Sequence, residues 1–166
     1  MSDDPPSTAT RGAGAPVCDI RVSCDGVRVP LARARVARLV EAVLRWERCA
    51  HPVVLDVTFV SNRTIARLHR QHVGHRGTTD IVTFEHARHS AASPIVGDVY
   101  IAPQVARDNA RAFAQPVREE IARLTVHGVL HTLGWQHPDG EARLTSEMWR
   151  RQERWLQRAR LRGMLG

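Results

Sequence analysis

Apolar and polar positions alternate along this chain with two different periods, and the changes between them mark out the expected elements. Val17 to Ser23 has the period of two of a strand, and Asp25-Gly26 is a turn signal before a second short extended piece, Val27 to Val29, so a hairpin is expected here. From Leu31 the period lengthens. Val36, Leu39, Val40, Val43 and Leu44 form one stripe with arginines on the other face, which predicts an amphipathic helix ending near Arg48. Val53 to Val60 reads as a strand, and Ser61 or Asn62 can cap a helix that carries Ile65 and Leu68 inward and is closed by Gly74. Thr79 to Phe84 and Ile95 to Ile101 are β-rich segments on either side of a polar loop, His86 to Pro94, and are expected to pair.

Pro103 and Pro116 each suit the first turn of a helix, one running to about Ala114 and the other to Leu133, where Gly134 can adopt the left-handed conformation that ends it. Beyond Pro138 a last amphipathic helix is expected to about Arg160, with Leu144, Met148, Trp155 and Ala159 on one side. Trp149 and Trp155 are assigned to the core. Residues 1–16 are rich in Ser, Thr, Pro, Gly and Ala without periodicity and read as a disordered tail, leaving residues 17–166 as one domain. The mixture of elements predicts an α+β fold, with a mixed sheet of about four strands and about five helices.

A chain of 166 residues, 43% hydrophobic, can bury a core without disulfides. Cys18, Cys24 and Cys49 are odd in number, contain no CxxC pair and are expected to be free thiols. No apolar run approaches the roughly 20 residues that span a bilayer, and Asp3 and Asp4 stand where a signal sequence would be basic, so a cytoplasmic protein with no membrane partner is expected. The formal charge of +7 creates a field that attracts polyanions such as RNA. All 24 Lys-plus-Arg positions are arginine, which composition bias explains as well as selection for phosphate-binding forks.

The chemistry is concentrated between His127 and His137. On a helix, residues four apart lie about 40° apart round the axis, so His127 and His131 project from one face. A chain stopped and turned by Gly134 can bring His137 to the same point. Three neutral imidazoles leave a tetrahedral zinc one open position for water, the arrangement of a catalytic site. Imidazole sites also accept nickel, copper and iron, but one zinc ion is the expected cofactor. The same spacing occurs in metzincin peptidases, where a glutamate follows the first histidine as general base. Here that position is Gly128, which cannot accept a proton, and this argues against peptide hydrolysis.

The stretch HGVLHTLGWQH, His127 to His137, resembles the signature HGxLHLxGyDH of the YbeY endoribonucleases, also called rRNA maturation factors. Thr79 to Phe84 (TDIVTF) is similar to that family's TDVLSF segment, and Gly97 to Ile101 (GDVYI) to its GDIxI segment, in the same order over about Val53 to Leu156. The resemblance implies zinc on His127, His131 and His137 and a role in processing ribosomal RNA, notably the 3′ end of the small-subunit precursor, and in ribosome quality control. RNA and the ribosome or its proteins are the implied partners. Many members of the family have an arginine six residues before the threonine of TDVLSF, thought to help hold RNA; that position is Val73, and Arg76 is expected to substitute as the phosphate contact. Gln136 replaces the usual aspartate, and Asp80 and Asp98 are candidates to orient a histidine or cap a turn.

Taken with the resemblance, these residues imply metal-assisted cleavage of a single-stranded RNA phosphodiester. No RNA-recognition motif with exposed aromatics is apparent among the four Trp, three Phe and one Tyr. The rival from a different class is a ribosome-assembly factor whose zinc is structural, with a zinc metallopeptidase behind it. An open metal position in a cleft distinguishes the enzyme from the scaffold.

Overall fold

The computed structural model describes residues 16–72 and 79–166. In chain order its elements are β1 (Cys18–Cys24), α1 (Arg33–Trp46), β2 (Val53–Phe59), α2 (Asn62–His72), β3 (Ile81–Glu85), β4 (Ile95–Ile101), α3 (Pro103–Ala112), α4 (Val117–Thr132), a 3-10 segment (Gly140–Thr145) and α5 (Glu147–Leu161). The strands form one four-stranded mixed sheet in the order β1-β2-β4-β3, as the sequence predicts for this α+β fold. β1, β2 and β4 run parallel, with Asp56 opposite Asp98, and β3 lies antiparallel on the edge beside β4, with Val82 opposite Tyr100.

The expected hairpin at Asp25-Gly26 does not form. Gly26 does turn the chain, with φ of 64°, but β1 pairs parallel with β2 over seven residues. A parallel pair requires a crossover, which α1 supplies. Val27 and Val29 instead pack against the core, and the extended piece meets Pro30, which has no N–H to give to a ladder.

β2 shows why the alternation was informative: Val53, Leu55, Val57 and Phe59 are fully buried while the residues between them are half-buried. Its buried face joins Val36, Leu39, Val40 and Val43 of α1 and Ile121, Val129 and Leu130 of α4 in the main core. A smaller cluster of Val60, Ile65, Val82 and Ala102 brings in α2. Ser61 begins that helix, its Oγ accepting the Thr64 N–H at 3.2 Å. Gly74, expected to close it, lies outside the described residues, as do residues 1–15 of the expected tail.

α4 is the central helix, buried on most sides. Two glycines let it lie close to β4. A Cβ on Gly128 would stand 2.5 Å from Val99 Cγ1, and one on Gly97 would stand 2.6 Å from Thr132 Cγ2. The HGVLH and GDVYI stretches are therefore two halves of one helix-on-strand contact. Gly128 faces the sheet, and a glutamate there would collide with Val99 before it could serve as a base.

The expected last helix is interrupted. Residues after Gly140 form the 3-10 segment, and Ser146 then caps α5 by accepting the Trp149 N–H at 3.1 Å. Leu144, expected on the buried stripe, falls in the 3-10 segment and is 47% exposed. Met148, Trp155 and Ala159 are buried as expected, whereas Trp149 is only half-buried. The three cysteines are free thiols. Among the described residues, no helix is long and apolar enough to cross a membrane.

Candidate metal centre

Each of the three histidines reaches the site by a different local device. His127 and His131 are one helical turn apart on α4 and share a face. The helix ends in a Schellman motif: Gly134 adopts φ of 87°, its N–H bonds to the His131 carbonyl at 2.8 Å, and the Trp135 N–H bonds to the Leu130 carbonyl at 3.0 Å. That reversal carries His137 back over the open side of the helix.

Trp135, the residue that makes the turn, is itself pinned. Its Nε1 donates to Glu47 at 3.2 Å, and the Arg151 guanidinium lies 3.9 Å over its ring. Glu47 is almost fully buried at the end of α1 and also accepts from Trp155 Nε1 and, at 3.2 Å, from Arg151. One carboxylate thus holds α1, the turn after α4 and α5 together.

The three Nε2 atoms converge, with separations of 3.0 Å between His127 and His131, 3.3 Å between His131 and His137, and 3.4 Å between His137 and His127. Nitrogens bound at 2.0–2.1 Å around a tetrahedral zinc stand about 3.3 Å apart, so the triangle fits such an ion. Among the described residues these three form the group of His, Cys, Asp or Glu side chains able to hold a metal. Their second nitrogens are directed away. His127 Nδ1 bonds to Gln152 Oε1 at 2.8 Å and His137 Nδ1 to the Pro138 carbonyl at 2.9 Å, and the Trp135 backbone acts on His131. Protonated on Nδ1, each ring presents an Nε2 lone pair inward.

Electrostatics act in the same direction. Burial, reinforced by the neighbouring His131, pushes His127 down to about 4, and burial together with His137 lowers His131. Both are neutral at pH 7, the state a metal ligand needs.

Gln152 is the functional residue that sequence reasoning missed. Its amide Nε2 donates to Glu153 Oε1 at 3.1 Å, which fixes its carbonyl toward His127. Glu153 and Glu120 in turn hold Arg123, at 3.0 and 2.6 Å. The available signal was a single polar residue on the buried stripe of α5, four after Met148 and four before Leu156.

Of the other expected residues, Asp80 lines the cleft beside the triad, while Asp98 and Gln136 engage other partners. Asp98 does orient a histidine, but it is His86, at 2.6 Å, outside the triad. Asp80 accepts from Asn109 Nδ2 at 3.0 Å, and burial raises its pKa. Gln136 donates to Glu85 at 3.2 Å and supports no ligand. Val73 and Arg76 lie outside the described residues. Beside the histidines is a cleft of about 420 Å³, walled by His127, His137, Phe113, Trp149, Arg123 and Arg143.

A family model described as Endoribonuclease YbeY matches residues 23–160. Endoribonuclease YbeY of Chlorobium phaeobacteroides is 32% identical over 122 residues, covering 74% of this chain and 84% of the relative. The Thermobifida fusca protein of the same name is 34% identical over 119 residues, 67% of this chain and 76% of that one. The solution structure of TM1509 from Thermotoga maritima shares the fold, with a TM-score of 0.56 and 22% identity over 87% of this chain and 92% of that one. With the family model spanning most of its length and its histidines set for a metal, the chain belongs to the endoribonuclease YbeY family.

Proposed function

We propose that this protein is a zinc-dependent endoribonuclease that cuts single-stranded ribosomal RNA precursor, at the 3′ end of the small-subunit RNA, in the cytoplasm and in contact with the ribosome, and that it serves ribosome quality control. The observation that carries the reading is the convergence of three imidazole nitrogens, 3.0–3.4 Å apart, at the edge of an open cleft. A zinc ion held there supplies Lewis acidity toward a phosphate oxygen and acidifies a bound water. His127, His131 and His137 hold the ion, and Gln152 keeps His127 in the ligating tautomer. Three ligands rather than four, among the described residues, favour the enzyme over a scaffold with structural zinc. The absence of a side chain at Gly128, where Val99 fills the space, speaks against the peptidase. Arg76 is assigned to the RNA backbone as a phosphate contact.

The test is cleavage of an end-labelled small-subunit rRNA precursor by zinc-loaded wild type and by His131→Ala purified identically. Cutting by the wild type alone, lost on chelation and restored by zinc, supports the reading. Equal cutting by both proteins, or by neither with ribosomal particles supplied, overturns it.

A further inference from the structure

The cleft beside the histidines carries two features that metal binding does not use. The first is an arginine. Arg123 and Arg143 both line the cleft, but Arg123 is neutralised by Glu120 and Glu153 at 2.6 and 3.0 Å. Arg143 stands exposed on the 3-10 segment and, among the described residues, makes no ion pair. Its charge is felt across the cleft by Asp80 and by His127. A guanidinium left unpaired beside a metal centre is suited to an anionic ligand that spans both.

The second feature is an aromatic ring. Phe113 caps the C-terminus of α3 and is 74% exposed, although it lines the cleft. The following residue, Ala114, holds the left-handed conformation at φ of 51°, which costs a residue with a Cβ. The chain therefore turns sharply at a position where glycine would be easier, with Phe113 left at the cleft. Trp149 and Leu144 give the cleft further apolar surface. A volume of about 420 Å³ falls in the range that holds a ligand of nucleotide size and is far too small for a duplex.

We propose that this cleft is a nucleotide subsite for single-stranded RNA, in which Phe113 stacks on an unpaired base and Arg143 takes the adjoining phosphate, setting the strand beside the three histidines. The assignment rests on the endoribonuclease reading above. It accounts for strand selectivity physically, because a base within a duplex has both faces covered by its neighbours and cannot offer one to Phe113. It asks for no base-specific hydrogen bond, in keeping with a chain that has no recognition motif.

The test measures fluorescence anisotropy of a fluorescein-labelled single-stranded oligoribonucleotide, whose intactness is checked by gel at the end of each titration, over a salt series. Zinc-loaded wild type, Phe113→Ala, Arg143→Ala and Arg143→Lys are compared, with zinc content measured for each. Phe113→Ala is expected to raise Kd about tenfold for the single strand and to leave the weak binding of an equal-length duplex unchanged. Arg143→Ala is expected to reduce the slope of log K against log salt by roughly 0.7, with Arg143→Lys restoring it. If both alanine variants bind the single strand with wild-type Kd and slope while the wild type cleaves precursor, the subsite is wrong and the endoribonuclease reading stands. If the wild type neither binds nor cleaves RNA, the endoribonuclease reading falls and takes the subsite with it.

Discussion

Gln152 meets His127 through a single hydrogen bond of 2.8 Å, and that bond selects which nitrogen of the ring carries the proton. A second-layer partner of this kind sets the orientation and basicity of a metal ligand, and its removal commonly weakens metal binding by about 10–100-fold. Gln152→Ala is accordingly expected to lower zinc affinity in that range, measured by competition with a chromophoric chelator. Gln152→Glu keeps an acceptor at the same place and should recover most of the affinity; equal affinity in the alanine variant and the wild type would remove Gln152 from the site. Gly128 acts on the opposite side of the same helix. Its Cβ would meet a stiff, fully buried valine at 2.5 Å, so Gly128→Ala should destabilise by about 1–3 kcal/mol despite the better helix propensity of alanine. Urea unfolding of Gly128→Ala alone and with Val99→Ala tests this, since the second change should return part of the loss.

At the scale of elements, the metal centre depends on how α1, α4 and α5 are fastened. Glu47 is the common point, buried at the end of α1 and bonded to Trp135, Trp155 and Arg151. Replacing it leaves two indole donors without their acceptor and Arg151 with only its longer pair to Glu147, at 3.7 Å, and breaking a buried pair of this type costs about 3 kcal/mol or more. Glu47→Ala should therefore lower stability by about that amount in chemical denaturation, and it should weaken zinc binding as well, because Trp135 holds the turn that delivers His137. A melt shift without any change in zinc affinity would show the turn to be held by the Schellman bonds alone. The elements themselves were largely legible, since β2 and α1 alternate cleanly between core and outer positions. The parallel partnership of β1 was not, because Asp25-Gly26 is a strong local turn signal while the β1–β2 ladder spans more than thirty residues of sequence. Leu144 was misplaced for a related reason: apolar spacing does not reveal that Ser146 restarts the helix.

Over the whole molecule, the triad was legible because its spacing lies on one helix and its closing turn, whereas Gln152 and Glu47 reach the site from α5 and α1, across 25 and 88 residues, which local pattern does not connect. That same long reach ties metal binding to global stability. A metal on His127, His131 and His137 would be bound by the folded chain and hardly at all by the unfolded one, where nothing holds the three imidazoles together. At a free zinc concentration one hundred times Kd, the linkage contributes about 2.7 kcal/mol. For a domain of this length each kcal/mol moves Tm by about 2–4 °C, so chelation should lower Tm by roughly 5–11 °C. Scanning calorimetry of zinc-loaded and chelated protein measures the shift, and the His131→Ala variant supplies the control. The variant should melt at one temperature with or without zinc. A zinc-dependent rise of equal size in His131→Ala would place the ion away from the triad, and no rise in the wild type at saturating zinc would mean that the three nitrogens converge without holding it.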